Sequence, residues 1–125
     1  MTVSTSRLKS CVRKWRTILG IGDEWKLNVI LVHADDVEQE NATDYAWIDV
    51  HWQAMTATVK FNSLRVDDAN LDLCVCHELL HVLNHGVEKL SKAHAGQFEE
   101  YVDDQIEQTT ERLARALVRA GGGKA

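Results

Sequence analysis

"CVCHELLHVL", residues 74–83, decides how this chain is read. Apart from His77, Glu78 and His81 its letters are apolar, and it includes no proline or glycine, which predicts a helix covered on most of its sides. On a helix, residues four apart lie one above the other on the same face. His77 and His81 therefore share a face, and Glu78 sits about 100° further round. Two imidazoles stacked this way can each direct a nitrogen at one cation about 2.0–2.1 Å away, the bond length that tetrahedral zinc requires. Glu78 is then close enough to take a proton from a water on the ion without being a ligand itself. A surface helix with incidental histidines would instead carry charges at Val75, Leu79, Leu80, Val82 and Leu83.

A catalytic zinc also needs a third protein ligand and an open position. His85 does not qualify on a continuous helix, because eight residues from His77 amount to about 12 Å at 1.5 Å per residue. Cys74 fails by a similar argument and reads as a small buried hydrophobe. Better candidates lie in "FEEYVDD", residues 98–104. If Phe98, Val102 and Ile106 mark the covered stripe of the last helix, Glu99 falls near its centre and Glu100 faces water. Glu99 is the preferred third ligand and Glu100 the alternative. Asp103, one turn after Glu99, is placed to accept a hydrogen bond from a ligand histidine and so fix its tautomer.

Around this helix the chain reads as an α+β domain. Leu8, Val12, Trp15 and Leu19 recur at helical spacing until Gly20 and Gly22, giving a first amphipathic helix. "WKLNVILV", 25–32, is short and rich in branched residues, as a strand is. After the acidic loop "HADDVEQENATD" come two alternating runs, 45–52 and 55–61. Only Gln53-Ala54 separates them, which suggests a hairpin and a three-stranded meander. The motif helix follows, with Gly86 as its expected stop, and a long last helix runs from about Ser91 to Ala120. The predicted order is α-β-β-β-α-α: an N-terminal helix, a small three-stranded sheet, the motif helix and a long C-terminal helix. Residues 1–120 form one domain and 121–125, "GGGKA", a tail.

Composition narrows the classes. With 125 residues, 45% of them hydrophobic, the chain has enough material for one core and no second lobe, so any site is a shallow groove. No apolar run approaches the ~18 residues of a membrane span. The N-terminal segment lacks the apolar middle of a secretory signal, and three cysteines, an odd number, suit a reducing compartment. A cytoplasmic location is expected. Net charge is −5, unevenly spread: residues 1–20 carry bases and no acid, whereas 34–72 are strongly acidic. Five bases on one helix fit a solvated face better than a nucleic-acid surface.

"HELLH", followed by "EEYVDD", resembles the gluzincin type of zinc metallopeptidase, in particular its minimal single-domain members and the small phage-associated or SprT-like H-E-x-x-H proteins. The resemblance spans about residues 45–117, with the H-E-x-x-H motif as its specific part. It implies a zincin-like fold, zinc on His77, His81 and a helix-borne glutamate, Glu78 as general base, and a peptide or protein substrate. A metzincin would place a third histidine six residues after His81, where Val87 stands. The zinc-ribbon cysteines of many SprT-like proteins are also missing. In zincins an edge strand lies along the substrate, here 45–52 or 55–61, with Tyr45, Trp47 and His51 as groove-wall candidates. Tyr45, His51, His85, His94 and Tyr101 are all eligible to stabilise the oxyanion. The alternatives to a peptidase are a zinc hydrolase of another substrate and a non-catalytic zinc-binding or regulatory module.

Overall fold

The computed structural model describes residues 3–121; the expected tail at 121–125 lies outside these except for Gly121. The architecture is α+β, with four helices and one three-stranded mixed sheet. Helix α1 spans Thr5–Leu19. Ser4 caps its start by accepting from the Arg7 N–H, and Gly20 ends it in the left-handed conformation at φ 70°, which glycine adopts without steric cost. Strands β1 (Lys26–Val32), β2 (Ala46–His51) and β3 (Thr56–Asn62) follow. The acidic segment between β1 and β2 forms two short 3-10 turns.

The strand order is β1-β3-β2, with β1 parallel and β2 antiparallel to β3. The expected hairpin is present, but the expected meander is not: the chain crosses back so that β3 becomes the centre. Burial explains the choice. Ala57, Val59 and Phe61 of β3 are each about as buried as a side chain can be, whereas β2 keeps exposed positions and takes the edge. The β2–β3 turn, without glycine, places Met55 at φ 51°.

Helix α2, Leu71–Leu83, is the motif helix. It packs against α1 on one side, α4 on another and β2 beneath. Leu71, Val75, Cys76, Leu79, Leu80 and Val82 fill those contacts. Asp72 is the polar exception: its carboxylate accepts from Trp15 Nε1 at 2.7 Å and Lys14 Nζ at 3.1 Å. Burial alone would raise that carboxyl, but the Trp15 and Lys14 hydrogen bonds outweigh it and hold it below the ordinary range.

The C-terminal helices differ from expectation in two ways. Asn84, not Gly86, closes α2, and a separate helix α3 covers His85–Ala93. Helix α4 then runs Glu99–Ala120, with Thr110, Ala114 and Val118 as its buried seam. Phe98 is exposed, as is Leu113. The covered stripe is thus built from smaller residues, because α4 approaches α2 closely through its second half and leaves its first turn in solvent.

Candidate metal centre

Helix α2 presents His77 and His81 one turn apart, as the spacing predicts. Their Nε2 atoms stand 3.2 Å apart. Glu107, on the third turn of α4, reaches both: Oε2 lies 3.2 Å from His77 Nε2 and Oε1 lies 3.1 Å from His81 Nε2. Four ligands at 2.0–2.1 Å around a tetrahedral ion are separated from each other by about 3.3–3.4 Å. The three short edges found here come close to that spacing, and these donors form a group able to hold a metal ion.

The far nitrogens are also held. His77 Nδ1 donates to Glu111 Oε2 at 2.9 Å, and His81 Nδ1 donates to Glu88 Oε1 at 2.8 Å. With that proton on Nδ1, a neutral ring would turn its Nε2 lone pair toward the shared point. Both rings are largely buried, with side-chain exposures of 15% and 11%, and each is fixed by a carboxylate from another helix. Two nitrogen donors and a carboxylate make a ligand set able to hold a metal ion.

Electrostatics agree with a site built for positive charge. Burial disfavours the His81 imidazolium, but hydrogen bonds to Glu107 and Glu88 override it and raise its pKa to about 10. His77 is raised too, burial again being outweighed by Glu107 and Glu78. Hydrogen bonds from the two histidines hold Glu107 well below the carboxylate range. Without a metal, protons take up the positive charge these carboxylates call for.

Glu78 is one residue from His77 and lines the grooves on both sides of the group. Burial pushes its carboxyl above the ordinary range, against the pull of the two imidazoles. A carboxylate tuned upward is better matched to taking and returning a proton near neutrality. Cys74 also lines one groove. Burial, reinforced by Glu78 and Glu111, lifts its thiol to about 12, so it is a neutral wall residue and not a thiolate ligand.

The carboxylate that the structure brings to the two histidines is Glu107, not the expected Glu99 or Glu100. Glu99 and Glu100 sit exposed in the first turn of α4, and Glu107 is eight residues on from Glu99, about 12 Å along the helix. Neither belongs to the metal-holding group. Asp103 pairs with Lys92 Nζ at 3.2 Å and touches neither ring; Glu111 and Glu88 take the orienting role expected of it. The signal for Glu107 was the small-residue seam. One heptad before Ala114 and Val118 lie Glu107 and Glu111, on the same helix face. No local pattern marks Glu88, which reaches His81 across the break at Asn84 between α2 and α3.

Of the oxyanion candidates, Tyr45 and His85 line grooves beside the group, while His51 pairs with Asp49 at 3.2 Å and His94 and Tyr101 are exposed. Among the described residues, no helix is long and apolar enough to cross a membrane. Compared with protein-family models, curated proteins and solved structures, the chain matches none.

Proposed function

We propose that this chain is a zinc-dependent metallopeptidase of gluzincin type, hydrolysing peptide bonds in an extended polypeptide. The observation that carries this is the convergence of two Nε2 atoms and the Glu107 carboxylate within 3.2 Å of one another, beside the half-buried carboxylate of Glu78. A zinc ion held by His77, His81 and Glu107 would polarise the scissile carbonyl and acidify a water. Glu78 accepts the proton of the attacking water and returns it to the leaving nitrogen, and its raised pKa suits both halves of that transfer. Glu88 and Glu111 keep the imidazoles aimed and in the correct tautomer.

Strand β2 supports the peptide reading. The Tyr45 carbonyl accepts from the Asn62 N–H at 2.9 Å, so antiparallel alternation turns the N–H and C=O groups of Ala46, Ile48 and Val50 away from β3. As β2 is an edge strand, these groups are free for an extended substrate. They border a groove of about 450 Å³ that also contains Glu78, His81 and Glu107. A polypeptide added to this edge passes its backbone over the metal-holding group.

The test compares the parent with Glu78→Gln for zinc content and for cleavage of an unfolded protein substrate. The expected result is about one zinc per chain in both, with the cleavage rate lower by at least about 100-fold in the variant. Equal cleavage by the two proteins, or parent protein that holds zinc but never cleaves, refutes the reading.

A further inference from the structure

We propose that the groove on the Asp44 side of the metal-holding group selects a lysine or arginine side chain of the substrate; this deepens, and rests on, the metallopeptidase reading. On that side the groove widens to a cavity of about 610 Å³ between the 43–46 segment and the 67–70 turn. Ala69, Leu73 and Cys74 supply an apolar surface, and Asp44 and Asp67 stand exposed at the rim. A long aliphatic stem ending in a cation matches both parts: methylenes cover the apolar wall while the head reaches the carboxylates.

The charges in this cavity are not equally available. Glu78 and Glu107 belong to the chemistry, and Glu111 is shared between His77 and Arg115, whose Nε lies 3.2 Å from it. Arg115, the cation of the cavity wall, already has a carboxylate partner in Glu111. Asp67 spends one oxygen on the Asn70 N–H, in a reciprocal turn that starts α2. The Asp44 carboxylate has no hydrogen-bond or ion-pair partner among the described residues. An anionic rim with one uncommitted carboxylate attracts a cationic side chain and repels an acidic one.

The probes are three fluorescent peptides of equal length, alternating glycine or serine with lysine, glutamine or glutamate. They are titrated into zinc-loaded Glu78→Gln protein, which removes turnover from the measurement. The lysine peptide should bind about tenfold tighter than the glutamine peptide, the order expected of one or two partly screened ion pairs. The glutamate peptide should bind more weakly than either. Asp44→Lys in the same background should abolish the lysine preference. Asp35→Lys, the same charge change outside the cavity, should leave it in place. Equal binding of lysine and glutamine peptides overturns the proposal, and so does loss of preference in both lysine variants, which would reduce the effect to net charge. Cleavage by the parent is scored separately: a parent that cleaves neither peptide counts against the peptidase reading, whereas the binding ranks decide the selectivity.

Discussion

His77 and His81 meet edge to face, with ring centroids 5.0 Å apart, planes inclined at 66° and Nε2 atoms 3.2 Å apart. Two imidazolium rings could not share that geometry without strong repulsion. Glu107, between the two nitrogens, relieves it in the metal-free protein, and a single divalent cation would do so more completely. The consequences can be measured.

Replacing Glu107 by alanine should lower zinc affinity by at least about 100-fold, more than the loss of an outer-shell partner. Glu99→Ala should stay within about twofold of the parent. Competition titration against a chelator reads both. A Glu99→Ala protein that loses zinc while Glu107→Ala keeps it would reverse the assignment.

Glu88 and Glu111 act through the rings they hold. Glu88→Gln or Glu111→Gln should weaken zinc binding by about 10–100-fold while leaving its stoichiometry at one. Helix content followed by circular dichroism should not change, which separates reorientation of a ligand from unfolding of α3 or α4.

Stripping the metal should expose a pH dependence. His81 has its folded-state pKa raised to about 10, and that of His77 is also raised. Their protonation stabilises the metal-free fold fully below the unfolded value near 6.5. That contribution disappears as pH rises from about 6.5 to about 10. Glu107, lowered by the same contacts, acts in the opposite direction: its contribution is present above the unfolded value near 4.3 and is lost in acid. The melting temperature of chelator-treated protein should therefore fall between pH 6.5 and 10, and zinc-loaded protein should show a much flatter profile. Because zinc must displace these protons, its affinity should keep rising with pH through the same interval. Parallel melting curves for the two forms would contradict this.

Asp72→Ala should cost about 2–4 kcal/mol of unfolding free energy, read from denaturant midpoints. It would leave the Trp15 indole N–H, bonded at 2.7 Å, without its partner inside the α1–α2 contact. Zinc stoichiometry should be retained, since Asp72 lies more than a turn of α2 before His77 and on another face.

The legible parts of this protein were those set by local periodicity. The 3.6-residue repeat of Leu8, Val12 and Trp15 gave α1, the alternation of 57, 59 and 61 gave β3, and the four-residue interval from His77 to His81 aligned the two rings. Each follows from neighbours within one or two turns, so it can be read before the chain is packed. Gly86 misled for the complementary reason: α2 stops at Asn84, where the break before α3 goes with the contact of Glu88 on His81.

The third member of the donor group belongs to the other category. Glu99, Glu100 and Glu107 are equally good carboxylates on the same helix, and the repeat of Phe98, Val102 and Ile106 pointed to an earlier turn than the one that meets the histidines. What brings Glu107 to the histidines is the packing of α4 on α2, where Thr110, Ala114 and Val118 are the buried positions of α4. A motif fixes the rotation of side chains around one axis; the distance between two axes, and so which carboxylate closes the ring of donors, comes from packing between segments remote in the chain.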